Sequence, residues 1–182
     1  VVPKLFGYCV ALAAERHGIL VHAVTCMSNH WHAVVTDPHG TIPAFARDVH
    51  SLSARAVNAH YGRWEAFWSS QRLSLVELVD AEDVWDKLVY TVTNPVEAGL
   101  VERSADWPGL RTRAIDVERP PRVFRRPRTR FFERSGLPGR ASLPLSVPPM
   151  LGSHGVRRFT VEFQERVAQR ERRIREGRHA SG

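Results

Sequence analysis

Two cysteines, Cys9 and Cys26, are too few for a disulfide framework, and neither stands in a CxxC pair. Long apolar runs are missing as well. Stretches such as Gly18 to Val24 last only a few residues, far short of the roughly 20 needed to cross a bilayer. No basic segment leads into an apolar run and a small-residue cleavage site, so a signal peptide is not expected. The chain opens on Val1 rather than Met, as a fragment would. A cytoplasmic protein without a membrane partner is the expectation. There is no internal repeat, and lysine is absent from the last third.

What is present is 182 residues, 43% hydrophobic and 25% charged, enough for one globular domain with a short appendage. The net charge of +7 is unevenly spread. Residues 1–117 hold 10 basic and 13 acidic side chains, net −3, whereas residues 118–182 hold 16 and 6, net +10. All 16 are Arg, the side chain that pairs bidentately with phosphate and stacks on bases. A polyanion partner is favoured over a small neutral substrate, with a solvated, idle tail as the competing account.

Leu5, Phe6, Cys9, Leu12 and Ala13 recur at helical spacing between Pro3 and His17, and Gly18 supplies a stop. Ile19 to Cys26 and Trp31 to Thr36 read as two strands joined by a tight turn. Asp37-Pro38-His39-Gly40 is turn chemistry. Ile42, Phe45, Ala46, Val49, Leu52 and Ala56 then trace a helix face ending near Tyr61 and Gly62. Trp64 to Val79 alternates weakly and is expected to form a strand. Trp64, Phe67 and Trp68 at its start suit either core packing or stacking on unpaired bases. Asp80 can cap a helix through Val84, Leu88 and Val92, which Pro95 should close at Thr93 or Asn94. Helix, two strands, helix, strand, helix is α+β with an antiparallel sheet, close to a ferredoxin-like layout without its opening strand. The expected division is a catalytic domain over 3–117, a Pro/Arg-rich extended arm over 118–155 with one or two short strands, and a basic helix and tail over 156–182.

His30-Trp31-His32 places two imidazoles on one side of a strand if Trp31 packs on the other. Such a tripeptide is more often surface or packing than ligand. Tyr90 and Asn94, four apart near the end of a helix, share a face about one turn apart. Each alone has an ordinary structural explanation. Together, two imidazoles and an amide oxygen make an open N/O set suited to Mg or Mn, beside a phenol able to attack a phosphodiester.

These residues resemble a known family. Cys26-Met27-Ser28-Asn29-His30-Trp31-His32-Ala33-Val34-Val35 is similar to the His-hydrophobic-His segment of HUH single-tyrosine transposases. Tyr90-Thr91-Val92-Thr93-Asn94-Pro95-Val96-Glu97-Ala98-Gly99-Leu100-Val101 looks like the tyrosine helix of their REP-associated branch, as does the following Asp106-Trp107-Pro108. The resemblance runs from about Phe6 to Trp107, with looser likeness to Leu145. It implies a DNA strand transferase that forms a 5′-phosphotyrosine link to single-stranded or hairpin DNA. Tyr90 matches the nucleophile, His30 and His32 the metal-binding histidines, and Asn94 the third ligand. Family members usually begin with a further strand, for which there is no room ahead of Pro3; a degenerate copy, a gene-model error and a protein that closes its sheet another way are the alternatives.

Arg122, Arg125, Arg126, Arg128 and Arg130, interleaved with Phe124, Phe131 and Phe132, are the expected DNA contacts, with Arg157 and Arg158 on the last helix. The competing reading is a catalytically inactive DNA-hairpin binding protein that retains the fold. A zinc hydrolase using His30 and His32 would need further ligands at a spacing the sequence does not show. Monomer and homodimer are both compatible with the sequence.

Overall fold

A computed structural model describes residues 2–69 and 73–180. The elements are α1 (Val2–His17), β1 (Leu20–Cys26), β2 (Trp31–Thr36), α2 (Ile42–Tyr61), α3 (Ala81–Glu97), β3 (Arg122–Arg125), α4 (Arg130–Glu133), β4 (Arg140–Leu143) and α5 (Val156–Ala180). The architecture is mixed α+β, with two small two-stranded sheets, β1 with β2 and β3 with β4. The chain divides into two compact units that interleave in sequence. The first is Val1–Leu20, Asp37–Glu77 and Pro121–Pro144; the second is Val21–Thr36, Leu78–Pro120 and Leu145–Gly182.

In the first unit α1 is buried almost throughout, from Leu5 to Ala14. It lies against α2, whose Phe45, Val49, Leu52 and Ala56 form the face that the helical period marks. Gly18 ends α1 at φ +65, a conformation open to glycine without steric cost. Asp37 organises the turn before α2, its carboxylate accepting from the Ile42 and His39 amides and the Thr41 hydroxyl. The Thr41 backbone amide, together with those donors, holds its pKa down at about 2. The part of the Arg/Pro arm from Pro121 to Pro144 belongs to this unit. β3 and β4 pair antiparallel, Arg122 opposite Leu143 and Arg125 opposite Arg140, and pack on α1. The Tyr8 hydroxyl donates to the Pro138 carbonyl at 2.6 Å, and its ring meets Phe132 edge-on.

In the second unit β1 is buried from Val21 to Cys26. β2 lies along one side of it. On the other side the Cys26 amide donates to Leu110 O (2.8 Å), the Thr112 amide to Val24 O (2.8 Å) and the Ser146 amide to Val21 O (3.2 Å). Downstream chain therefore closes that edge of β1. The core is built where α3 and α5 meet. Trp85 stacks on Phe159 with ring centroids 5.0 Å apart, and Leu88, Val92, Leu151 and Phe163 surround them.

Two local expectations are corrected. No strand forms over the described part of Trp64 to Val79, residues 70–72 lying outside the described residues. Leu73, Leu75, Val76 and Val79 stay exposed, because alternation without a partner strand and a core beneath it buries nothing. α3 also continues through Pro95 to Glu97. Pro95 sits in the last turn, where the missing N–H costs a single helical bond, and the Ala98 amide still closes on Asn94 O at 2.9 Å. Asp80 caps this helix as its position predicts, accepting from the Asp83 amide at 2.8 Å.

Candidate active site

The β1–β2 hairpin and α3 build the site within the second unit. The turn is fixed by the Met27 amide, which donates to His30 O at 2.8 Å. It is also fixed by Trp107, whose indole N–H donates to the Cys26 carbonyl at 2.9 Å. Gly109 passes so close to that carbonyl and to the Trp107 ring that a Cβ would collide with both. His30 stands one residue ahead of β2 rather than within it, and His32 lies on the strand. Their rings are nevertheless neighbours, with centroids 5.0 Å apart and planes nearly perpendicular.

α3 packs on β2 and brings Tyr90 and Asn94 to the same place. The Tyr90 ring meets His32 edge-on at 5.3 Å. Tyr90 is 38% exposed, while Asn94 is 6% exposed. Tyr90, His30, His32 and Asn94, separated by up to 64 positions in sequence, are therefore gathered together.

The hydrogen bonding of the histidines is incomplete. His30 Nδ1 lies 2.7 Å from Asn29 Oδ1, and His30 Nε2 lies 3.2 Å from Asn94 Oδ1. Both neighbours are amide oxygens able to accept from a ring N–H. His32 Nε2 is buried with no hydrogen-bond partner. Burial lowers the His32 pKa, and the neighbouring His30 and Lys87 side chains push it the same way, so its ring is neutral at neutral pH and keeps a lone pair.

The predicted DNA-contacting arginines fall in both compact units. Arg122, Arg125, Arg126, Arg128 and Arg130 belong to the first unit, Arg157 and Arg158 to the second. Arg122 lies over the Phe124 ring at 5.2 Å, and Arg126 donates to the Leu137 carbonyl at 2.5 Å. Arg125, Arg128, Arg130, Arg157 and Arg158 are exposed. Of the aromatic group, Trp68 is structural: its N–H donates to His50 O and Ser53 Oγ, both at 3.1 Å, and its ring stacks on His50. His50 is thus a packing residue rather than a simple surface one. Trp64 stands 91% exposed.

Sequence reasoning missed Lys87, whose ammonium lies 5.8 Å from the Tyr90 ring centroid. The signal was its place three residues before Tyr90 on the same helix. The cysteines take no part: burial pushes both thiols up to about 12. No cluster of three or more His, Cys, Asp or Glu side chains suited to a metal occurs among the described residues, which leaves the amide of Asn94 as the oxygen donor beside the two histidines. The chain matches no family model, no curated protein and no solved structure.

Proposed function

We propose that the protein is a metal-dependent, single-tyrosine DNA strand transferase acting on single-stranded or hairpin DNA. The observation that carries this reading is the convergence of Tyr90, His32, His30 and Asn94, with an orphaned buried nitrogen on His32. The His32 nitrogen would gain a partner in a divalent cation such as Mg or Mn. His32 Nε2, His30 Nε2 and Asn94 Oδ1 would hold it, and when bound it supplies polarisation of a phosphoryl oxygen. In this reading the β1–β2 hairpin belongs to a ferredoxin-like sheet, and the chain around Leu110 and Thr112 bonds to β1 beside it.

The chemistry assigned to the chain's own residues is short. Tyr90 Oη forms a bond to phosphorus as the bond from phosphorus to the 3′ oxygen breaks. The phenol proton is lost to solvent, and the departing 3′ oxygen takes one up. The product is a 5′-phosphotyrosine and a free 3′-hydroxyl, and attack of that hydroxyl reverses the step without an external energy source. Exposure of Tyr90 leaves its hydroxyl accessible to a strand, while buried Asn94 is held in place by its helix.

The test is incubation with hairpin DNA and Mg or Mn followed by denaturing electrophoresis. A protein–DNA adduct is expected, and Tyr90→Phe should abolish it while binding persists. An adduct of equal yield in Tyr90→Phe would reject the assignment. DNA-hairpin binding without cleavage is the second reading. It is favoured by the absence of any carboxylate from the ligand set, which makes for a weak cation site, and it predicts binding with no adduct in the wild type.

A further inference from the structure

Beside Tyr90 the surfaces of α3 and α5 enclose a cleft of about 430 Å³. α3 lines it with Asp86, Lys87 and Tyr90, and α5 with Arg166, Arg170 and Arg173. The four cations differ in how they are engaged. Arg166 is paired with Glu82 at 2.9 Å and with Glu162 at 3.0 Å, and Arg170 with Glu97 at 3.1 Å. Lys87 and Arg173 make no ion pair among the described residues. The Lys87 ammonium lies 5.8 Å from the Tyr90 ring centroid. Asp86, beside Lys87 on α3, is the acidic residue of the lining; with Arg166 and Arg170 engaged by Glu82, Glu162 and Glu97, Lys87 and Arg173 are the lining cations left to meet an anion.

We infer that Lys87 and Arg173 form a backbone-phosphate site, which holds a single strand of DNA by the phosphate next to the one that Tyr90 attacks. The inference rests on the assignment of Tyr90 and adds to it the path of the strand, along the cleft between α3 and α5. Lys87 offers a point charge, and Arg173 offers a planar fork matched to two phosphate oxygens. The cleft reaches Tyr90 itself, so a strand seated there presents its next phosphodiester to the phenol. Lys87 and Arg173 are positioning residues: they touch the strand and not the reacting atoms.

The experiment uses the full chain carrying Tyr90→Phe, so that cleavage does not perturb binding. The probe is a labelled, mixed-sequence single-stranded DNA of about 16 nucleotides. Its affinity is measured by fluorescence anisotropy across salt concentrations. Each phosphate contact contributes about 0.7 to the slope of log K on log salt, so Lys87→Ala with Arg173→Ala, which empties one phosphate site, should flatten the slope by about 0.7. Arg103→Ala with Arg119→Ala removes the same charge from exposed positions of the same unit that do not line the cleft, and should leave the slope in place. Lys87→Arg with Arg173→Lys should retain it. An unchanged slope in the cleft variant, or equal flattening in both alanine pairs, would overturn the proposal. Adduct formation by protein with Tyr90 intact is scored in parallel. No adduct together with the cleft-specific change would reject the strand-transfer reading and keep the phosphate site; an adduct without that change would do the reverse.

Discussion

His22 is buried in the second unit with both ring nitrogens engaged. Nδ1 lies 2.9 Å from the Ser146 carbonyl and so carries the proton, while Nε2 accepts from the Thr36 hydroxyl at 2.8 Å. Burial lowers its pKa below 6.5, and the bond to Ser146 only partly offsets that. The unfolded chain takes up the proton first on acidification, so the stability is whole above pH 6.5 and is lost as pH falls toward the lower native value. Urea unfolding followed from about pH 7.5 to about pH 5.5 should show a falling midpoint, with a shallower fall in His22→Gln. Equal falls would assign the loss to other groups, such as His32 and His50, which burial shifts the same way. A second prediction concerns His32, whose Nε2 is the unpartnered buried atom. Calorimetric titration with Mn should show binding to the wild type and a loss of roughly tenfold or more in His32→Ala, the scale on which perturbing a metal site acts. Equal affinity in the two proteins would reject the ligand assignment.

The last helix carries far more structure than its arginine content implies. Phe159 and Phe163, four apart, insert against Trp85 of α3, and Arg166 lies 4.9 Å over the Trp85 ring. Arg178 reaches the Val96 carbonyl, and buried Glu171 accepts from the Ser104 amide at 2.7 Å. Phe163→Ala should therefore destabilise the protein by about 3–5 kcal/mol, whereas Arg166→Ala, which loses half-exposed ion pairs and a ring contact, should cost about 1 kcal/mol. Thermal or urea unfolding of both variants checks the ranking, and comparable losses would mean that charge rather than packing holds α5. The Phe spacing was legible in the sequence because a helix period is local, and so were α1, β1, β2, α2 and the Asp80 cap. The HxH pair and the Tyr90/Asn94 pair were legible for the same reason. The juxtaposition of Lys87 with Arg173 was not, since it depends on which helix α5 packs against. The strand expected around Leu73 and Val76 failed on the same point: alternation is a local signal, and burial needs a partner that local sequence does not specify.

At the scale of the whole molecule, folding redistributes the charge. Read along the chain, the excess sits after residue 117. Counted by compact unit, the first holds 13 basic and 6 acidic side chains, net +7, and the second holds 13 of each, net zero. The unit that carries Tyr90 is therefore neutral as a whole, because the acids of α3 and α5 offset the arginines of α5. Long-range attraction of a polyanion then falls to the first unit, and Arg125, Arg128 and Arg130 are its exposed representatives on the ordered arm. Replacing these three with Gln should flatten the salt dependence of DNA binding by about 2 units, at 0.7 per phosphate contact. The matching change at Arg157, Arg158 and Arg172 of α5, where Glu162 and Glu165 lie on the same helix, should flatten it by less than half as much. Substitution is the appropriate test because deleting α5 would strip Phe159 and Phe163 from the core along with the charge. Anisotropy titrations of one labelled hairpin at several salt concentrations compare the two triple variants directly. A larger effect from the α5 triple would return the electrostatic role to the last helix.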